Sequence, residues 1–394
     1  MNKLHIIYVL SATDPLGGAT KAIMNLLNGL AEKHVAPLFI LPEESGIAQT
    51  LKEKDYAYKV LNYRMCVYPP LESIKDVCLF IPRCIGRLYL NQKAAKQLIA
   101  IAKDFQADII HTNTSVNDIG YIASRKLGIP HVWHIREYAD LFFNYHHYPS
   151  RSLFLRKFRT PQSYTICITK DIQKYNLLTE CAQSRVIYDG VLSAQQKYFT
   201  PNKENYFLFA GRLSEGKGIE ELLHAYAEYT RHYPSPIPLW IAGETQDDNY
   251  KKKLSDIVSQ EGLEEHVQFL GMRPDILTFM QRTIALIVPS RAEGFGFITA
   301  EGMFSGALVI GKNVRGTKEQ FDNGNTETGQ EIAIRYETEA ELTQYLAEVS
   351  KNGIEPYLTM IQAGQLAAVQ LYSIESHQKA VWDLYCEIVK KETR

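Results

Sequence analysis

Two short segments of this chain gather side chains suited to phosphate and hydroxyl groups. The first is Phe209-Ala210-Gly211-Arg212-Leu213-Ser214-Glu215-Gly216-Lys217-Gly218, which sets two cations on a glycine-punctuated turn after an apolar run. A guanidinium fork at Arg212 and an ammonium at Lys217 can bracket a diphosphate from two directions. The second, Pro289-Ser290-Arg291-Ala292-Glu293-Gly294-Phe295-Gly296-Phe297-Ile298-Thr299-Ala300-Glu301, sets two carboxylates eight positions apart. The apolar run Ile284 to Val288 predicts a strand just before Glu293, and Glu301 falls inside the helix that follows. Gly294, Phe295, Gly296, Phe297 and Ile298 then form the amino-terminal approach to that helix, where free N–H groups bind anions.

The elements that must hold these groups alternate between apolar runs and amphipathic stretches, twice over. In the first half, strands are expected at Leu4 to Leu10, Ala36 to Leu41, Ala57 to Leu61, Ile109 to Thr112, His131 to His134 and Tyr164 to Ile168. Residues 190 to 204 lack periodicity and contain Pro201, which makes them the expected linker. The pattern restarts with strands at Tyr206 to Ala210, Leu239 to Ala242, Val267 to Leu270, Ile284 to Val288 and Leu308 to Ile310. Alternating strands and helices predict an α/β fold of two doubly wound, Rossmann-like domains, residues 1–190 and 191–373, each with a parallel sheet. Ligands of such sheets sit beyond the carboxyl ends of the strands, where the main motifs fall. Ser373 to Arg394 reads as one long helix.

A chain of 394 residues with 45% apolar content can bury two sizeable cores. Its six cysteines, Cys66, Cys78, Cys84, Cys167, Cys181 and Cys386, form no C-x-x-C pair and read as reduced thiols of a cytoplasmic protein. No run of eighteen uncharged apolar residues occurs, so membrane contact is expected to be peripheral, at the inner face. The net charge of −1 hides an asymmetry. Residues 1 to 190 hold 23 Lys+Arg and 16 Asp+Glu, a balance of +7, which leaves 20 basic and 28 acidic residues, or −8, for the remainder. The basic half suits an anionic partner such as a phosphorylated acceptor or an acidic membrane surface; scattered solvated lysines are the plainer alternative. No nucleic-acid partner is expected.

The residues resemble a known family, the GT-B fold retaining glycosyltransferases of family 4. Gly211-Arg212 with Lys217-Gly218 is similar to its G-R-x4-K-G clamp, and Glu293 with Glu301 to its E-x7-E motif. The resemblance implies that the two domains face across a cleft, with a C-terminal helix at about 374–394 packed back on the first. It implies that Arg212 and Lys217 neutralise the departing nucleoside diphosphate, that Glu293 holds donor-sugar hydroxyls and that Glu301 holds the ribose. Amides of Gly296 to Ile298 would add donors to the phosphates. In the first half, Thr13-Asp14-Pro15-Leu16-Gly17-Gly18-Ala19 resembles a loop in which the pair Gly17 and Gly18 approaches the donor diphosphate; a plain strand-to-helix turn is the alternative. His134 stands where the family has its active-site histidine, with contact to the transferred sugar implied. The neighbouring Arg136 is open between the acceptor or its phosphate and mere solvent contact, and Glu137 is open to solvent contact alone. Val186-Ile187-Tyr188-Asp189-Gly190-Val191 resembles the V-x-N-G-V hinge, with Asp189 in place of asparagine. Gly311 to Glu319 departs from the usual paired-glycine loop.

The expected activity is transfer of a sugar from a UDP- or GDP-linked donor to a saccharide or polyprenyl-diphosphate-linked acceptor, in surface polysaccharide synthesis. Cations where phosphate charge develops can carry the chemistry, and no D-x-D or metal-spaced histidine cluster is present, so no cofactor or metal is expected. For the acceptor, residues 62 to 98 and 141 to 159 mix aromatics, apolar groups and cations, with Arg151, Arg156, Lys157 and Arg159 as candidate phosphate contacts. Helices packed on their own sheet with a basic side in water are the alternative. Other readings are a non-catalytic sugar-nucleotide-binding subunit and an epimerase or hydrolase on the same fold. A nicotinamide-dependent oxidoreductase would need G-x-G-x-x-G, and the first-strand loop has only Gly17-Gly18.

Overall fold

The apolar runs become the central strands of two parallel sheets. The computed structural model describes residues 3–11, 14, 17–44, 46–141 and 144–392. Thr13, Pro15 and Leu16 of the glycine loop, Phe142 and Phe143 of the expected acceptor segment, and Thr393 and Arg394 of the tail lie outside the described residues. The chain divides into one unit of residues 1–190 with 377–394, and a second of residues 191–376.

In the first unit the strands are β1 (Leu4–Val9), β2 (Val35–Leu41), β3 (Ala57–Val60), β4 (Val67–Tyr68), β5 (Ile109–Thr112), β6 (His131–Ile135), β7 (His146–His147), β8 (Ser163–Cys167) and β9 (Ser184–Val186). Seven of them form one parallel sheet in the order β3-β2-β1-β5-β6-β8-β9, and β4 pairs antiparallel with β7. Strands β5, β6 and β8 are buried at every residue, as helices on both faces require. Alternate residues feed two cores. Ile6, Tyr8, Phe39 and Val132 pack against Ile23 and Leu26 of helix Gly18–Leu27, and against Val381, Leu384, Tyr385 and Ile388 of helix Ile374–Glu392. Ile7, Val9, Ile40 and Ile110 pack against Ala94, Ala95 and Leu98 of the 31-residue helix Ile74–Asp104.

The second unit holds β10 (Glu204–Ala210), β11 (Leu239–Ala242), β12 (Val267–Gly271), β13 (Thr283–Val288), β14 (Val309–Lys312) and β15 (Ile334–Tyr336), in the order β12-β11-β10-β13-β14-β15. Phe207, Phe209, Ile241, Ile287 and Ile310 pack against helix Ile219–His232 through Leu222, Leu223 and Tyr226, and against helix Glu339–Asn352 through Leu342 and Leu346. Strand β10 lies between β11 and β13, so the order reverses beside it. A crevice opens outside the carboxyl ends of strands at such a reversal. The first unit reverses likewise at β1, between β2 and β5.

Each long strand expected from the sequence forms within a residue or two. The expected linker is irregular from Val191 to Lys203, with a 3-10 turn at Ala194–Gln196. Among the described residues no helix is long and apolar enough to cross a membrane.

Candidate active site

Both chemical segments leave the strands that flank the reversal in the second unit. After β10, Gly211 N–H donates to Ala242 O (3.0 Å) and Leu213 N–H to Glu244 O (3.0 Å), which fixes the loop against the end of β11. A 3-10 turn at Glu215–Lys217 leads to Gly218, at φ 69°, which opens helix Ile219–His232. A Cβ on Gly218 would stand 2.0 Å from Pro289 O, so the two segments meet backbone to backbone. Arg291 N–H donates to Gly216 O at 3.0 Å across the same seam.

This contact brings Lys217 and Glu293 together. Lys217 Nζ lies 2.5 Å from Glu293 Oε1, which also accepts from Ser290 Oγ at 2.8 Å. The pair is only partly buried, so its groups remain open to a ligand. Arg212 is exposed on the same loop. Beyond Glu293 the chain enters helix Phe297–Phe304 through Gly296, at φ 96° with no side-chain cap. In the first turn Thr299 N–H donates to Gly296 O at 3.2 Å. Gly316 N–H donates to Glu293 O (3.1 Å), and Gln320 Nε2 donates to Phe295 O (2.6 Å) and Gly296 O (2.9 Å). Glu293, Phe295 and Gly296 are held by these bonds on either side of Gly294, and Glu301 is buried in the second turn of the helix.

Three groups of this site were not singled out by sequence reasoning. Ser290 and Gln320 are two, and Glu221 is the third: buried, it accepts from Lys312 Nζ and from Arg291 Nε (3.4 Å). Only Ser290 lay inside a motif, three residues from Glu293 on a turn, where a hydroxyl can reach back to a carboxylate.

In the first unit the candidate residues around the acceptor meet partners of their own. Arg136, a candidate for the acceptor or its phosphate, is buried and bonds both carboxylate oxygens of Asp189 through Nη1 and Asn113 Oδ1 through Nε (3.1 Å). A buried guanidinium needs such a partner, and Asp189 supplies the charge an asparagine would lack. Lys157 likewise donates to the buried Asp118 Oδ2 at 2.7 Å. Glu137, open to solvent contact on sequence grounds, instead accepts from Ser115 N–H (2.7 Å), Ser115 Oγ (2.8 Å) and Val116 N–H (3.2 Å); burial pushes its carboxyl up. Arg156 and Arg159 are exposed, and Arg159 Nη2 donates to Leu177 O. Gly17 has φ −65° and accepts from Lys21 N–H at 2.9 Å, and Gly18 starts helix Gly18–Leu27.

His134 is fully buried at the end of β6. Arg136 Nη2 lies 3.1 Å from its Nδ1 and can only donate, so the neutral ring carries its proton on Nε2, 3.8 Å from Asp189 Oδ1. His377 Nδ1 accepts from Gly190 N–H at 2.9 Å, and its proton too is on Nε2. His134, Asp189 and His377 place ligand-type atoms within 4.8 Å of one another, yet both imidazoles offer N–H donors rather than lone pairs. That donor set does not fit a metal ion. His111 Nε2 lies 3.2 Å from His134 Nδ1, and His111 Nδ1 lies 2.6 Å from Tyr385 Oη. Burial, with Arg136 nearby, holds His111 and His134 well below the usual imidazole range, and burial brings His377 down to about 4.

Comparison with known proteins covers both units. Residues 193–366 match the family Glycosyl transferases group 1, and residues 16–191 match Glycosyltransferase Family 4. An uncharacterized glycosyltransferase of Methanocaldococcus jannaschii is 29% identical over 307 residues, 74% of this chain and 82% of that protein. Glycogen synthase of Mycobacterium tuberculosis is 28% identical over 150 residues, 37% of this chain and 35% of that protein. Among solved structures, Anabaena HepE in complex with UDP has a TM-score of 0.77 at 19% identity, over 98% of this chain and 100% of that one. A glycosyltransferase of Rickettsia africae has a TM-score of 0.77 at 16% identity, over 99% and 100%. Matched in both halves and in the same order, the chain belongs to the family 4-like glycosyltransferases of GT-B fold.

Proposed function

We propose that the chain is a retaining transferase that takes a sugar from a nucleoside-diphosphate donor and passes it to a saccharide or lipid-linked saccharide in surface polysaccharide synthesis. The observation that carries the donor half is the Lys217–Glu293–Ser290 cluster, seated beside the start of helix Phe297–Phe304 at the strand reversal. The chemistry follows from charge. As the bond from the anomeric carbon to the diphosphate oxygen breaks, negative charge gathers on the phosphate, where Arg212, Lys217 and the amides of Gly296 to Ile298 stabilise it. Glu293, already on Lys217, turns its second oxygen to sugar hydroxyls, and Glu301 takes the ribose. The acceptor hydroxyl attacks the face the diphosphate leaves, and its proton passes to the departing phosphate oxygen. These protein cations supply the charge that a divalent ion would otherwise bring.

HepE was crystallised with UDP and with UDP-glucose, which makes UDP the first nucleotide to try and GDP the second. The test is a thermal-shift panel of UDP, GDP, ADP and their sugar conjugates on wild type and Glu301→Ala, since a ligand of the folded state raises the melting temperature. One nucleotide should raise it and lose the effect in the variant; no shift with any nucleotide would sink the donor assignment. Incubating the preferred donor with and without acceptor separates transfer from hydrolysis. An inverted anomer by NMR would remove the retaining mechanism.

A further inference from the structure

The helix Ile74–Asp104 has two unlike halves. From Asn91 onward its inner face, with Ala94, Ala95, Leu98 and Ala102, is buried on the first unit's sheet. Between Ile74 and Leu90 only Cys84 is buried. There Ile74, Val77, Ile81, Ile85, Leu88 and Tyr89 recur at helical spacing and form one stripe. Ile74 is 86% exposed, Ile81 67% and Tyr89 70%. Of the fourteen large hydrophobic residues exposed among the described residues, six lie on this half-helix, so the patch is concentrated rather than scattered.

Its surroundings are cationic. The helix holds six basic residues against Asp76 and Asp104, and Asp76 is bound to Arg83 at 2.7 Å. Lys75, Lys93 and Lys96 are exposed. Residues 1 to 190 carry the excess of seven positive charges. Two copies meeting through this face would bring like charges together, whereas an anionic lipid surface complements it. From Ile74 to Tyr89 the stripe runs roughly 22 Å along the helix axis. That is short of a hydrocarbon core of about 30 Å, so the stripe suits a helix lying in the interface plane.

We propose that residues 74–89 form an interfacial docking element that sets its apolar stripe among the acyl chains of an anionic bilayer, with Lys75, Lys93 and Lys96 at the headgroups. The inference goes beyond the transferase reading and stands or falls without it. The experiment is flotation of the full chain, without nucleotide, on phosphatidylcholine vesicles with and without phosphatidylglycerol, whose negative charge supplies the surface potential that attracts lysines. The wild type should float with the anionic vesicles and release at high salt. Ile81→Asp/Ile85→Asp should lower the bound fraction on the order of tenfold. Lys93→Glu/Lys96→Glu should lower it several-fold, and both variants should keep the wild-type melting temperature and circular dichroism. No flotation of the wild type, or undiminished flotation of folded Ile81→Asp/Ile85→Asp, overturns the proposal. So does a wild-type dimer in sedimentation that the apolar-stripe variant dissolves without any vesicle binding, which would assign the stripe to a second copy.

Discussion

Lys217 and Glu293 share one contact, yet their roles at the donor differ, and substitutions should separate them. Lys217→Ala removes charge that acts on the departing phosphate. It should lower kcat/KM by about 10²- to 10³-fold, the range seen when one oxyanion donor is removed, with little change in melting temperature. Glu293→Gln keeps the shape but frees the ammonium, so steady-state kinetics should show a kcat loss with donor KM unchanged or lower. Gln320 touches the site only through the carbonyls of Phe295 and Gly296. It acts as a positioning residue. Gln320→Leu should weaken donor binding by up to roughly 30-fold, as two hydrogen bonds of about 1 kcal/mol each are lost, and isothermal titration with the preferred nucleotide would check it. Undiminished affinity would mean that the loop keeps its geometry without Gln320.

At the scale of elements, the seam between the two motif loops depends on Gly218. With φ 69° and a Cβ position 2.0 Å from Pro289 O, Gly218→Ala must force the loops apart. The expected cost is about 2 kcal/mol or more, read by urea unfolding, and a smaller cost would mean that the seam opens easily. The central strands were legible because buried parallel strands are near-continuous apolar runs. Strands β9 and β15, of three residues each, are too short to show a period. The helix Ile74–Asp104 hid because it buries an apolar face only from Asn91 onward, so no single buried periodicity runs its length. Motif spacing exposed Arg212, Lys217, Glu293 and Glu301 as candidates. It could not reveal Gln320, whose target carbonyls lie 24 and 25 residues away. Nor could it show that Arg136 and Lys157 meet Asp189 and Asp118, which are 53 and 39 residues distant.

At the scale of the whole molecule, the two units should answer acid differently. Among the described residues every histidine held below its usual range lies in the first unit, with His377 at about 4 and His131 at about 3, and burial is the leading cause. A depressed folded pKa means that the unfolded chain, titrating near 6.5, binds the extra proton. The stabilisation is therefore complete above about 6.5 and drains as pH falls toward 4 and 3, by about 1.4 kcal/mol per pH unit for each such histidine. Hydrogen exchange at pH 5 should show the first unit losing protection before the second; the opposite order would mean that these rings are not neutral in the fold.

The return of residues 377–392 to the first sheet also has a consequence for how the chain is made. Val381, Leu384, Tyr385 and Ile388 complete the core around Ile6 and Tyr8, and Tyr8 Oη lies 3.3 Å from Tyr385 Oη across 377 residues of sequence. On the ribosome residues 1–190 therefore emerge before residues 191–376 but lack one face of their packing until residues 377–392 have been translated. The second unit, closed within residues 191–376, can fold earlier. Synthesis and maturation run in opposite order, and the unit made first keeps apolar surface uncovered until helix Ile374–Glu392 packs on it.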